Sequence, residues 1–487
     1  MIPIMKILDT HQALNAKISE LTEKLKNDLD VKSYELELTN FLQEIYAPLL
    51  QDTINEILSD KQTLVLLCLI AVQKGMRFST FKSLSIQIYS GIKIKVYSPY
   101  FYYEQEKKSG RKKQGRKKGN NLDCHLGLSL MGFVGCYSPY IVQEVVTTSL
   151  SSPSFAVAKG LLSGRGIDLC VSTIEKICIN AAKIGMENRG KISLTGKEDF
   201  TGLTLVIGTD GGRIRIRTTK RGAKKKGAKQ QGYHTGWKEP KLLTIYLLND
   251  KKEKVKSFPP IYDATMGDDA DVFTLIKDYL AELPLAELKN IVFCGDGAPW
   301  IWKQAEFLFS ELSDLKVNFY QVLDYTHAKQ ALHEIWKWLP NKLTEKQKNR
   351  ILKEWKNELW NGNINKLKEL IVKHLSKRQQ KKGLKKWRDY FKKNEKRMQY
   401  STFKKAGIIC GSGCVESAIR RVINLRLKSP GSFWKKENAE YFLFLRAQFI
   451  SGRFSIFQNN LRQRFFYNLE NQTEKINIFR QNMELAA

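Results

Sequence analysis

Two short stretches carry an apolar run into a glycine-flanked acid. "LTLVIGTDGGR" ends on Asp210 and "NIVFCGDGAPW" on Asp296. Glycine beside an acid lets the chain turn sharply and lets another group come close. Taken singly, each is a turn after a strand. Taken together, they are two carboxylates at strand ends, which in an α/β sheet face a shared crevice. Two such groups repel unless a cation lies between them. Mg²⁺ suits the pair, because it binds through one or two carboxylates and fills its shell with water and phosphate oxygens. Two such ions can clamp the attacking and leaving oxygens of an in-line phosphoryl displacement. On this reading Gly295 and Gly297 leave room for a phosphate.

A third acid would complete such a site. Glu416, in "GSGCVES", falls in the first turn of an expected helix. By itself it reads as a residue complementing the helix dipole. Arg420 lies one turn on, able to pair with Glu416 or hold a phosphate. Arg421, Asn424 and Lys428 continue a polar stripe suited to DNA. Asp324, in "VLDYTHA", also ends a strand, and reads as a residue supporting His327.

The surroundings suit a polyanion. Among 487 residues, 81 Lys and Arg stand against 49 Asp and Glu, giving +32 at pH 7. The excess recurs in blocks, which points to nucleic acid. The densest block, "KKSGRKKQGRKKG", holds Arg111, Lys112, Lys113, Arg116, Lys117 and Lys118, expected to meet phosphates. Hydrophobic residues make up 42%, enough for a large core. The eight cysteines form no CxxC pair and read as reduced, mostly buried thiols of a cytoplasmic protein. No apolar run is long enough to span a bilayer, so no membrane partner is expected.

These groups need positioning elements. Residues 1–90 carry three- and four-residue apolar spacing and read as helical. "IKIKVYSPYFYYEQ" alternates as a strand. Within Ser151–Gly185, a short apolar helix, a glycine turn and a helix capped near Ser172 outline a helix-turn-helix, with Arg165, Glu175 and Lys176 as candidate DNA contacts. From residue 200, three strands, a helix, a strand, a helix and a strand predict a mixed sheet with helices packed on it. About 80 basic, Trp-rich helical residues follow His327. Their tryptophans read as core or as stacking platforms for an unpaired base.

In this order, "TDGGR", "GDGAPWIW", "LDYTHAKQAL" and "GSGCVESAIRRVINLRLK" resemble bacterial insertion-sequence transposases with an Asp-Asp-Glu triad. The similarity is to the ISLre family, relatives of the mutator-like transposases, and covers roughly residues 120–450. It implies a ribonuclease H-like core with a helical insertion before the last acid. Glu416 follows Asp296 by 120 residues, room for that insertion. It implies a triad of Asp210, Asp296 and Glu416 that binds Mg²⁺, with Mn²⁺ substituting, and it matches Asp324 and His327 to an Asp-x-x-His motif. Implied domains are a helical region (1–95), a basic helix-turn-helix-like region (96–195), a core (196–330), an insertion (331–405) and a core completion (406–487). The implied partners are double-stranded DNA, at element ends and target, and further copies of the chain, in the cytoplasm at the nucleoid. The resulting expectation is a transposase that binds terminal inverted repeats, hydrolyses phosphodiesters and transfers the 3′-hydroxyl to target DNA. A nuclease or resolvase on the same fold, and a non-cutting DNA-binding regulator, are the alternatives.

Overall fold

A computed structural model describes residues 4–103, 124–192, 194, 198–220, 222, 227 and 231–454. The basic cluster Arg111, Lys112, Lys113, Arg116, Lys117 and Lys118 lies outside the described residues. Two compact units result, one ending at Ala181 and the other beginning at Ala182.

The first unit is mainly helical. It opens with α1 (Ile4–Asp28), α2 (Val31–Ser59) and α3 (Lys61–Gln73). The Asp30 carboxylate caps α2 by accepting from the Lys32 and Ser33 amides, and Asp60 caps α3 through Thr63. A helical reading of all of residues 1–90 does not hold. Met76–Gln87 is a strand, β1, paired antiparallel with β2 (Lys93–Tyr103). Most of β1 is exposed. Its buried residues cluster at its two ends, and that leaves little alternation to read. The hairpin's inner face meets α2 in a core of Ile54, Leu58, Ile86, Ile94 and Val96. Next come α4 (Leu126–Leu130), α5 (Pro139–Ser151), α6 (Phe155–Ser163) and α7 (Val171–Met186). The last two are the helices expected from the glycine-turn pattern. α6 packs against α5, and the N-terminus of α7 is capped at Cys170 rather than Ser172.

The second unit is built on a five-stranded mixed sheet. Its strands are β3 (Thr204–Gly211), β6 (Lys241–Leu248), β7 (Ile261–Thr265), β8 (Asn290–Gly295) and β9 (Asn318–Leu323), and β4 (Ile214–Thr219) and β5 (Tyr233–Lys238) form a separate hairpin. The order is β7-β6-β3-β8-β9. β3, β6 and β7 run antiparallel, while β8 and β9 run parallel to β3. Parallel neighbours require crossovers. α8 (Asp269–Ala281) makes the one from β7 to β8, and α9 (Pro299–Glu311) the one from β8 to β9. The central strands are buried along nearly their whole length, as expected for strands covered on both faces.

A helical segment follows β9: α10 (Tyr325–Trp336), α11 (Glu345–Trp360), α12 (Ile364–His374), α13 (Lys377–Lys386) with a π-helical turn at Trp387–Lys392, and α14 (Tyr400–Lys405). It shares one continuous core with the sheet. Trp355 is fully buried, and Trp336, Trp338, Trp360 and Trp387 pack on that core. These tryptophans thus take part in the core, Trp355 wholly and the other four in part. The chain then enters α15 (Gly413–Ala418), which continues as a π-helical turn (Ile419–Asn424) and a last α-turn (Leu425–Leu427), before α16 (Lys436–Ile450).

All eight cysteines are free, and only Cys178 and Cys294 are fully buried, fewer than the composition suggested. Among the described residues no helix is long and apolar enough to cross a membrane.

Candidate functional site

The pairing register brings the acids together. β3 pairs with β8 from Thr204↔Asn290 to Gly208↔Cys294. Carried two residues past the last pair, the same register points Asp210 toward Asp296, whose charge acts on it. β8 pairs with β9 up to Gly295↔Leu323, and one step on sets Asp296 beside Asp324. Asp210, Asp296 and Asp324 thus lie at the ends of three adjacent parallel strands.

Their environments differ. The Asp210 Oδ1 accepts the Gly211 amide at 2.6 Å, and the side chain is half-buried. Burial pushes its carboxyl up to about 6, and the negative charge of Asp296 adds to the rise while His327 opposes it. The Asp296 Oδ1 accepts the Ala298 amide at 2.8 Å, and its carbonyl accepts from Trp302 Nε1. Asp324 is fully buried. It caps α10, accepting from the Thr326 and His327 amides, and also accepts from the Ser412 amide just before α15. Asp324 is therefore the joint between α10 and the approach to α15.

α15 carries Glu416 to the same crevice. A Cβ on Gly208 would collide with Val415 Cγ2, and one on Gly212 would lie 2.7 Å from Ile423 Cδ1. The sheet's missing side chains are what let this helix lie close. Gly411 and Gly413, expected to free the approach, have no neighbour that near. Side chains alternate along a strand, so Asp210 shares the face of Gly208, the face that α15 covers. Glu416 Oε1 lies 3.9 Å from His327 Nε2. His327 thereby faces Glu416 and, through its field, Asp210.

Gly295 and Gly297 stand where a side chain would crowd its neighbours. A Cβ on Gly297 would enter the Tyr390 ring, and one on Gly295 would press on Ile301 at 3.1 Å. Tyr390 stands in the π-turn after α13. Its hydroxyl is held well above its usual range by burial and by the charges of Asp296 and Asp324. Sequence reading missed this residue, because its surroundings are merely basic and polar.

The outer candidates are less gathered. Arg420 is exposed and makes no ion pair among the described residues, while the π-turn breaks its one-turn spacing from Glu416. Arg421 is tied inward to the Tyr262 hydroxyl at 3.1 Å. Lys428 is exposed just past the last turn. In the first unit, Arg165 is engaged by Glu144 at 2.6 Å, and Lys176 is exposed on α7.

Among the described residues, no three His, Cys, Asp or Glu side chains close around one point as a metal cluster would. Two acids at matched strand ends still fit an ion that keeps most of its water and takes phosphate oxygens. Burial lifts the Asp210 pKa and the charge of Asp296 adds to it, and a bound cation would relieve that mutual repulsion.

No protein-family model matches the sequence, and no curated protein matches it. Among solved structures, the chain is similar to a Drosophila P element transposase strand transfer complex at 11% identity, covering 67% of this chain and 81% of that one, with a TM-score of 0.25. A likeness that loose carries no argument about fold or activity.

The packing of α15 is open to test. Gly208→Val adds bulk where Val415 already sits. Overpacking of this kind costs about 1–3 kcal/mol, and an ångström of misplacement at a site costs on the order of 10²-fold in rate. Gly208→Val is expected to lower thermal stability and cut any Mg²⁺-dependent DNA cleavage on that scale. Val415→Ala in the same chain should restore most of both.

Proposed function

We propose that the chain is a DNA transposase of the Asp-Asp-Glu kind, resembling the ISLre family, with Asp210, Asp296 and Glu416 as its acids. The observation that carries this reading is Asp210 and Asp296 at the ends of adjacent parallel strands, with the helix bearing Glu416 packed on Gly208. The strand order, three antiparallel strands followed by two parallel ones, supports a ribonuclease H-like core. The charge of +32 supports a nucleic-acid substrate.

Bound there, Mg²⁺ or Mn²⁺ would supply the activation of water, or of a 3′-hydroxyl, and the charge stabilisation that phosphodiester chemistry requires. The chain's own residues would do the rest. Asp210 and Asp296 on the sheet, with Glu416 on the helix, would be the residues to hold the cation. His327 sits where it can accept a proton or a hydrogen bond beside Glu416. Asp324 fixes both the His327 backbone and the Ser412 amide, and so sets the distance between α10 and α15. Arg420, exposed past Glu416, is the cation available to a phosphate. Joining two DNA ends in one complex would need at least two copies of the chain.

The test is incubation with labelled terminal DNA of the element and a supercoiled plasmid, in Mg²⁺. A transposase yields end hydrolysis and labelled plasmid. Hydrolysis without joining would favour a nuclease or resolvase, and metal-independent binding without cutting would favour a regulator.

The raised Asp210 pKa sets a pH dependence. Its ordinary value is 3.8 and its value in the fold is about 6. The neutral form is favoured in the fold, so this group's contribution to stability is fully present below about pH 4 and is lost as pH rises through 6. Cation binding runs the other way, since the ligand must be deprotonated. Mn²⁺ affinity by calorimetry is expected to be about tenfold weaker at pH 5 than at pH 7, with a proton released on binding at the lower pH. The Asp210→Asn variant should show a flat profile.

A further inference from the structure

The β4–β5 hairpin leaves the sheet directly after Asp210. Its register pairs Ile214↔Lys238, Arg215↔Trp237, Ile216↔Gly236, Arg217↔Thr235 and Thr219↔Tyr233. Side chains alternate between faces. Ile214 and Ile216 are buried, and the β4 backbone exchanges hydrogen bonds with Trp434, Arg217 N–H to Trp434 O at 2.8 Å and Trp434 N–H to Arg215 O at 3.0 Å. One face of the hairpin is thus anchored. The other presents Arg213, Arg215 and Arg217 beside Trp237 and Tyr233, which are 46% and 44% exposed.

This outward face has a distinct chemistry. Arg215 lies over the Trp237 ring at 5.0 Å, Arg213 at 5.7 Å, and Arg217 lies over Tyr233 at 6.0 Å. Among the described residues none of the three guanidiniums has a carboxylate partner. An exposed tryptophan flanked by unneutralised arginines costs solvation and gains nothing in the core. It suits a partner that offers both π-faces and regularly spaced negative charge. Unpaired DNA does so, because bases stack on aromatic rings while phosphates meet the cations. Duplex DNA hides its base faces.

We propose that this hairpin face binds a single, unpaired DNA strand beside the acids, stacking a base on Trp237. The inference deepens the transposase reading and rests on it for the identity of the strand. Arg213 is three residues from Asp210, so a strand held here would lead straight to the scissile phosphate.

The test uses the full chain in EDTA, with anisotropy of labelled oligothymidylate and of a labelled duplex. Trp237→Ala is expected to weaken oligothymidylate binding about tenfold and duplex binding by less than about twofold, with Trp237→Phe restoring most of the loss. The triple variant Arg213→Gln, Arg215→Gln, Arg217→Gln should lower the salt slope for the oligomer by about two units, near 0.7 per lost phosphate contact. Equal losses on both DNAs, no loss for Trp237→Ala, or no oligothymidylate binding by the wild type would overturn it. Because EDTA removes any cleavage, the stacking face can stand where the transposase reading fails, and end cleavage with unchanged oligomer binding would show the reverse.

Discussion

Replacing Asp296 by Asn is expected to abolish metal-dependent cleavage while leaving the fold intact. Asp296 sits half-exposed at the end of β8. Its one recorded side-chain bond, from the Ala298 amide, needs only an oxygen acceptor, and Asn retains one. What Asn cannot do is bring a negative charge to a cation. Removing one preorganised electrostatic group costs about 10²–10³-fold in rate, and loss of a metal ligand should cost at least that. Asp210→Asn and Glu416→Gln should match it. The metal-free stability of Asp210→Asn should rise, because the substitution removes a desolvated charge held against Asp296. Asp324→Asn should behave differently. Its buried carboxylate accepts from three backbone amides, and Asn turns one acceptor into a donor. A lost cap costs about 0.5–2 kcal/mol. This variant should therefore melt earlier and cut partially, whereas the other three cut nothing and melt no earlier. Thermal unfolding without metal, beside plasmid cleavage with Mg²⁺, separates the two classes.

Replacing Arg189 by Ala is expected to cost about 3–5 kcal/mol of stability. Arg189 grips Asp263 on β7 through Nε and Nη2, both at 2.8 Å, and reaches Glu440 on α16 at 2.6 Å. Asp263 is fully buried and also accepts from the Tyr279 hydroxyl at 3.0 Å. The pair joins the sheet's edge strand to the last helix of the second unit. Removing the guanidinium leaves a carboxylate in the core with two neutral donors, the Tyr279 hydroxyl and the Ala264 amide, and that uncompensated charge carries most of the cost. The urea midpoint should fall without a matching change in slope. The double variant Arg189→Met, Asp263→Leu should regain a good part of the loss, since a well-packed apolar pair can replace a buried ion pair.

How far the sequence disclosed this molecule depends on where each signal resides. The central strands β3, β6 and β8 were legible because each is a dense apolar run, buried along nearly its whole length, and Asp210 and Asp296 because each interrupts such a run. The β4–β5 hairpin was not legible. Its inward face is two isoleucines, and "GYHTGWK" has no apolar alternation at all. β1 was hidden in the same way, by exposure along most of its length. Glu416 could be placed on a helix, but not over the sheet, because its approach depends on Gly208 and Gly212 meeting Val415 and Ile423, residues some two hundred positions away. Tyr390 was invisible for the same reason. The glycines beside Asp296 were noticed, but the ring packed against Gly297 was not, since it comes from a distant turn.

The most direct measurement is affinity cleavage of the protein itself. Fe²⁺ takes the place of Mg²⁺, and ascorbate with peroxide generates radicals that cut the backbone near the bound ion, with the cuts mapped by mass spectrometry. The account predicts cuts beside Asp210, beside Asp296 and near Glu416, suppressed by excess Mg²⁺ and absent from Asp210→Asn and Asp296→Asn. Cuts confined to other segments, or a pattern unchanged in those variants, would contradict it.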